Sequence, residues 1–336
     1  MTGLLEELGK KFAERWFTLL VLPGALYVCA VAAARQLDGF AFAPLTAWVK
    51  GLSVPHNGAS ALLYVLVFGV VAAAAGLAAS AVGALVERLW LAEDWLSWPG
   101  PLRRAAQLRV EARQTRWVVV ERTEAALRQR YGNGLVPDAT PSGVTELDVQ
   151  LARRRVLAIA ERRPARPTWM GDRMHAVVAG YRQECGLDLP SVWPHLWLAL
   201  PDTVRAEIKE AREAVSKATA LAGWAVLYVA VAYLWWPAFL LVAGLFLTAR
   251  QRGRRAVEAY ALLVEAATRL HAGDLARSLG FDHTGPLDAQ TGQAMTLLVQ
   301  GQGHLIPLTI GWPRQGIRAE CGMVCPILSR DDSLSL

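Results

Sequence analysis

The chain is 336 residues long, 54% hydrophobic, and carries 35 basic against 29 acidic residues, a net charge of +6. Its four cysteines, Cys29, Cys185, Cys321 and Cys325, fall in an apolar run or among basic segments, which argues against a disulfide scaffold. The positive charge is not interleaved with aromatics at single-strand spacing. It therefore argues against nucleic acid as a partner and for membrane topology and anionic headgroups.

At the N-terminus, Leu4, Leu8, Phe12 and Trp16 recur every four residues, so residues 1–16 are expected to form an amphipathic helix lying at a membrane interface. Four apolar runs follow along the chain: Phe17–Ala34, Ala59–Val86, Ala218–Trp236 and Pro237–Ala249. A run of eighteen or more apolar residues can cross the hydrocarbon core, about 30 Å thick, as a helix. The fold expected is all-α and four-pass, with one transmembrane hairpin over 17–88, a second over 218–252, and a helical domain over 89–217 between them. The fourth run has thirteen residues, about 20 Å of helix. It spans if Arg250 and Arg252 snorkel to the surface, and otherwise 218–249 is a re-entrant hairpin. Ala30-Val31-Ala32 is like a cleavage site, but Glu6, Glu7 and Glu14 give the preceding segment mixed charge, which favours a retained span.

Of the basic residues, twenty-one lie between Arg88 and Lys217 and nine more follow Ala249, whereas the loop between the first two runs holds only Arg35 and Lys50. The positive-inside rule then places both termini and the middle domain in the cytoplasm, with residues near 36–58 outside. Trp16, Trp90, Trp95, Trp98, Trp235 and Trp236 stand near the expected span ends, where indole rings favour the headgroup boundary. No charged residue or histidine interrupts any of the four runs, which argues against a proton or ion pathway. In the second run, Gly76, Ser80 and Gly83 are small residues spaced for close helix packing. Their partner is expected within the same bundle, with a homo-oligomer seam as the alternative.

The middle domain reads as helices joined by breaks. Residues 101–131 carry Ala106, Val110, Trp117, Val120, Leu127 and Tyr131 on a seam interrupted by Arg113 and Glu124. Gly132–Gly143 reads as a loop, 145–162 as a basic helix, 163–167 as a break and 171–184 as a further helix. A Pro/Trp segment over 188–201 leads to Asp202, expected as the N-cap of a helix that runs into the third span. After the fourth run, 253–280 is expected to be helical, and 281–336, with little periodicity, a mobile tail.

The residues Pro167-Thr168-Trp169-Met170-Gly171-Asp172, Gly186-Leu187-Asp188, Trp193-Pro194-His195-Leu196 and Leu200-Pro201 form a motif series. It resembles one found in uncharacterised bacterial multi-pass membrane proteins, extending through the second hairpin to about Leu279. Where that group commonly has asparagine, tyrosine and arginine, this chain has Asp172, Cys185 and His195. The resemblance implies architecture, with the protein expected in a bacterial inner membrane, and no activity.

Phosphate-loop, dinucleotide, zinc-protease and nucleophile-elbow motifs are all missing from the sequence. Asp172 and His175, three apart, would share a helix face, with Cys185 as a nearby nucleophile on the enzyme reading; a helix cap at Asp172 and an interfacial His175 are the expected alternative. Cys321-x-x-x-Cys325 with His304 lacks the zinc-knuckle spacing and a fourth ligand. No metal, cofactor or catalytic residue is therefore assigned. Interaction or pocket residues are sought among Trp169, Asp172, His175, Asp188, Trp193, His195 and Trp197. The function expected is non-enzymatic, by interaction with the bilayer and with a protein or small molecule on the cytoplasmic side. A pore-forming effector and a membrane-bound enzyme with a site near Asp172–His195 are the alternatives.

Overall fold

The computed structural model describes residues 21–36, 58–134, 143–282 and 284–306. Among them all regular structure is helical: α1 Leu22–Ala34, α2 Gly58–Leu91, α3 Gly100–Gly134, α4 Glu146–Ile159, α5 Trp169–Cys185, α6 Leu189–Ala199, α7 Asp202–Leu234, α8 Ala238–Ser278 and α9 Ala289–Val299. The expected interfacial helix of 1–16, the start of the first run and the far end of the tail, including Cys321 and Cys325, lie outside the described residues.

Two helices are long and apolar enough to cross a membrane, Ala61–Leu91 within α2 and the whole of α7. That is two of the four expected. α1 has 13 residues, and the apolar head of α8 ends at Arg250, about 18 Å from Ala238 at the helical rise.

The chain divides into two compact units. The first takes the described residues up to Met174 together with Lys209–Tyr260. Its apolar part is held by glycines. A Cβ on Gly24 of α1 would strike the carbonyl of Ala72, and one on Gly223 of α7 would strike the carbonyl of Ala79 and the backbone of Gly83. Small residues let these backbones touch. At one end Ala34, Val231, Ala232 and Ala238 form a buried cluster, with Tyr27 set edge-on to Tyr228 at 5.5 Å. At the other, Arg212 of α7 pairs with Glu87 of α2. α2 leaves Leu62, Leu63, Val65, Leu66, Val67, Val70 and Leu77 exposed, and only 11% of its apolar window is buried.

In the same unit α3 lies along α4. Thr145 and Asp148 cap α4 reciprocally, the Thr145 N–H donating to the carboxylate at 2.9 Å. Met170, Val215, Ala256 and Val257 make a second buried cluster, flanked by Trp90, Trp169 and Tyr260.

The second unit comprises His175–Ile208 and the described residues from Ala261 on. Leu187, Val192, Leu196, Met295, Ala276 and Phe281 are buried in it. The Pro/Trp segment is a helix, α6, because Pro190 sits in the first turn, where no N–H is needed, and Pro194 points outward. One expectation is corrected here. The tail after Gly280 contains α9, whose periodicity is weak because it is seated through glycine and threonine. A Cβ on Gly292 would strike the Cys185 carbonyl, and Thr296 Oγ1 accepts the Asp188 N–H at 2.9 Å. The helix that follows Pro201 starts at Asp202 itself, with Arg205 N–H bonded to the Pro201 carbonyl at 3.0 Å.

Candidate functional site

The richest polar constellation surrounds the end of α2, in the first unit. Helix α2 stops at Ala92, whose φ of 45° lies in the left-handed region and whose side chain is fully buried. The last carbonyls of a helix need donors and carry its negative pole. Arg166 donates a guanidinium N–H to the Ala92 carbonyl and the Thr168 hydroxyl donates to that of Trp90. Gly171 comes so close to the Leu91 carbonyl that no Cβ would fit. Thr168 also opens α5, accepting the Gly171 N–H at 3.0 Å on its hydroxyl.

Asp172 braces the stretch between α4 and α5. Its Oδ1 accepts the N–H groups of Ala165 at 2.8 Å and Arg166 at 2.7 Å, and its Oδ2 is paired with Arg113 of α3. Arg113 also donates to the carbonyls of Arg166 and Ile159, each at 2.6 Å. Gln114 donates to the Pro164 carbonyl at 2.7 Å and Trp117 Nε1 to that of Ala160 at 3.1 Å. A stretch too irregular to satisfy its own backbone thus takes its partners from side chains of α3 and α5. Burial pushes the Asp172 carboxyl up, against the pull of Arg113 and the two N–H groups. Burial lowers Arg113, although the guanidinium stays charged at any working pH. With both oxygens engaged, Asp172 is built to hold backbone. Beside it, Arg173 bridges Glu161 at 3.2 Å and Glu258 at 3.0 Å.

The same junction walls a cavity of about 390 Å³. Its apolar sides come from Leu89, Trp90, Trp98, Leu102, Trp169 and Phe246, and Arg109, Arg250 and Arg254 line it as well. The Arg254 guanidinium lies 4.3 Å over the Trp169 ring, whose Nε1–H bonds the Leu157 carbonyl at 3.2 Å.

The remaining candidates lie in the second unit, from His175 on. His175 is half-buried on α5, and Cys185 ends that helix. Burial raises the Cys185 thiol, with Glu184 and Asp288 adding to the effect, which suppresses the thiolate a nucleophile requires. Gly186, at φ 62°, turns the chain, and Asp188 then starts α6, paired with Arg182 and accepting the Ser191 hydroxyl. Burial opposes, but these two donors together hold the Asp188 carboxyl below its ordinary value. On α6 the buried face is Leu189, Val192 and Leu196. Trp193 and Trp197 are half-buried with ring centroids 6.0 Å apart, and His195 is exposed.

Among the small residues of α2, Gly76 and Gly83 are buried, and Gly83 meets the backbone of Thr219 and Ala220. Ser80 faces outward and donates to the Gly76 carbonyl at 3.0 Å. Among the described residues no three His, Cys, Asp or Glu side chains gather as a metal ion would require.

The residue that sequence reasoning passed over is Arg113. It stood out only as a break in an apolar seam, yet a charge at a seam position signals a buried partner, here Asp172. Glu124, the other break, is likewise buried and paired with Arg128 at 2.9 Å. Arg250 and Arg254 stand one helical turn apart on α8, a spacing visible in the sequence, but their meeting with Arg109 was not. No protein-family model, curated protein or solved structure matches this chain.

Proposed function

We propose that the chain is a four-pass bacterial inner-membrane protein that acts without chemistry, relaying conformation between its helical body and the bilayer. The observation that carries this reading is the continuity of α7 and α8. Each is one unbroken helix, of 33 and 41 residues, with an apolar portion and a charged portion. A bend or flexible joint at the change of character would suit a tether; an unbroken helix transmits tilt and rotation.

Three features support the membrane part. The exposed apolar surface of α2 is far larger than water tolerates on a monomer and suits lipid. The C-terminal end of α1 and the tight turn at Trp235–Pro237 share one cluster, as expected if both lie on the outer side, whereas Glu87 and Arg212 sit at the basic end. The head of α8 begins within that cluster at Ala238 and reaches charge only at Arg250, so α1 and α8 complete two hairpins if snorkelling and local thinning make up their length. The network around Asp172 and the raised thiol of Cys185 favour this over the enzyme reading.

The test uses the full chain with native cysteines replaced by serine and an environment-sensitive dye on Leu198→Cys, an exposed position of α6. In vesicles of increasing acyl length, dye emission should shift in the parent and stay constant after Gly-Gly-Ser is inserted behind Lys217. A parent that does not respond to thickness, or an insertion variant that responds equally, refutes transmission through α7.

A further inference from the structure

We propose that the cavity at the end of α2 is a binding site for the headgroup of one anionic phospholipid, held by Arg109, Arg250 and Arg254 against the rings of Trp90, Trp98 and Trp169. The inference rests on the membrane reading above and adds a ligand to it.

Charge is the first argument. Among the described residues none forms an ion pair with Arg109, Arg250 or Arg254, and no carboxylate lines the cavity. Four arginines of the same unit, Arg113, Arg128, Arg173 and Arg212, each hold a carboxylate, and what sets Arg109, Arg250 and Arg254 apart from the solvent-facing ones is that they line one cavity. Arg254 is half-buried, and burial together with the like charges of Arg250 and Arg113 outweighs the one nearby carboxylate, Glu258, which is itself engaged by Arg173, an arrangement that an anion relieves. Three guanidinium groups present a fork geometry matched to phosphate oxygens. The Arg254 fork is already fixed by its stacking on Trp169, so little freedom is lost on binding.

Shape and surroundings choose lipid over a free anion. The volume lies in the range of small-ligand pockets. A bare phosphate would fill only a corner of it and gain nothing from Leu89, Leu102 and Phe246, which are exposed at its edge. Those residues continue the apolar surface of α2 and of the α8 head, giving an acyl chain somewhere to lie while the phosphate reaches the arginines. Three indoles at that boundary are where an amphiphile's glycerol region belongs. Basic pockets between helices at the cytoplasmic face recognise anionic headgroups on these grounds.

The test is native mass spectrometry of the delipidated full chain in non-ionic detergent, titrated with dioleoyl phosphatidylglycerol or dioleoyl phosphatidylcholine. The parent should retain one phosphatidylglycerol in preference to phosphatidylcholine. Arg250→Gln with Arg254→Gln should weaken this by about thirtyfold, at roughly fivefold per charge removed. Arg252→Gln with Arg255→Gln removes the same charge from exposed positions of the same helix and should change retention by less than about twofold. Arg109→Gln, from an exposed position that folding does not need, should weaken retention by about fivefold. Equal retention of both lipids, equal loss in the 250/254 and 252/255 pairs, no loss in Arg109→Gln, or displacement of the lipid by inorganic phosphate overturns the site. Carbonate extraction of cell membranes separates the two readings. A chain that stays with the pellet yet shows no lipid preference defeats the site alone, whereas one released to the supernatant defeats both.

Discussion

Replacing Asp172 by asparagine keeps the shape of the side chain and removes its charge. The amide oxygen can still accept the N–H groups of Ala165 and Arg166, but an NH2 group or a neutral oxygen then faces Arg113. The Arg113 and Asp172 side chains are 14% and 6% exposed, so the guanidinium loses its counter-charge where water replaces little of it. Breaking a buried pair in this way costs about 3–5 kcal/mol, and Arg113 retains the carbonyls of Ile159 and Arg166, which places the loss near the lower bound, about 3 kcal/mol. For a body of this size that corresponds to about 6–12 °C in apparent Tm. The assay is thermal unfolding in mild detergent followed by size-exclusion chromatography. A double variant, Arg113→Met with Asp172→Leu, sharpens the reasoning. Apolar replacement of a buried ion pair is often neutral, but here it strands the carbonyls of Ile159 and Arg166 and the N–H groups of Ala165 and Arg166. At about 1–3 kcal/mol for each stranded group, the double variant should lose about 4 kcal/mol or more. A single variant melting within about a degree of the parent, or a double variant as stable as the parent, refutes the bracing role.

Two further outcomes follow from the packing and the charge distribution. Gly223→Ala drives a methyl into the Ala79 carbonyl and the Gly83 backbone, so the cost of overpacking, about 1–3 kcal/mol, should outweigh the helix-propensity gain, while outward-facing Ser80→Leu stays within about 0.5 kcal/mol; equal extraction and elution of both variants would refute the seam. In intact cells lacking the native cysteines, Asn57→Cys should react with a membrane-impermeant thiol reagent and Arg153→Cys only after lysis, and labelling at 153 without lysis reverses the orientation.

Helix positions were legible wherever one property dominated a stretch. The runs at 59–86 and 218–236 are apolar on every face, and the seam from Ala106 to Tyr131 recurs at helical spacing, so α2, α3 and α7 follow from local composition. Where position depends on partners far along the chain, local composition says little. The order of Thr168, Gly171 and Asp172 is legible as a motif, but its use requires the carbonyls of Trp90 and Leu91, the guanidinium of Arg113 and the N–H groups of Ala165 and Arg166 to arrive at one place. α9 is not legible in the sequence for the same reason: its Gly292 and Thr296 are not apolar and gain meaning only against Cys185 and Asp188. Sequence alone settled the helical class and the segregation of charge from apolar length, because both are sums over neighbours. Tertiary structure decided that the interruption at Arg113 is a buried ion pair with Asp172 and that three arginines from two helices face one cavity, because a charge declares its role only when its counter-charge, or the absence of one, is in view.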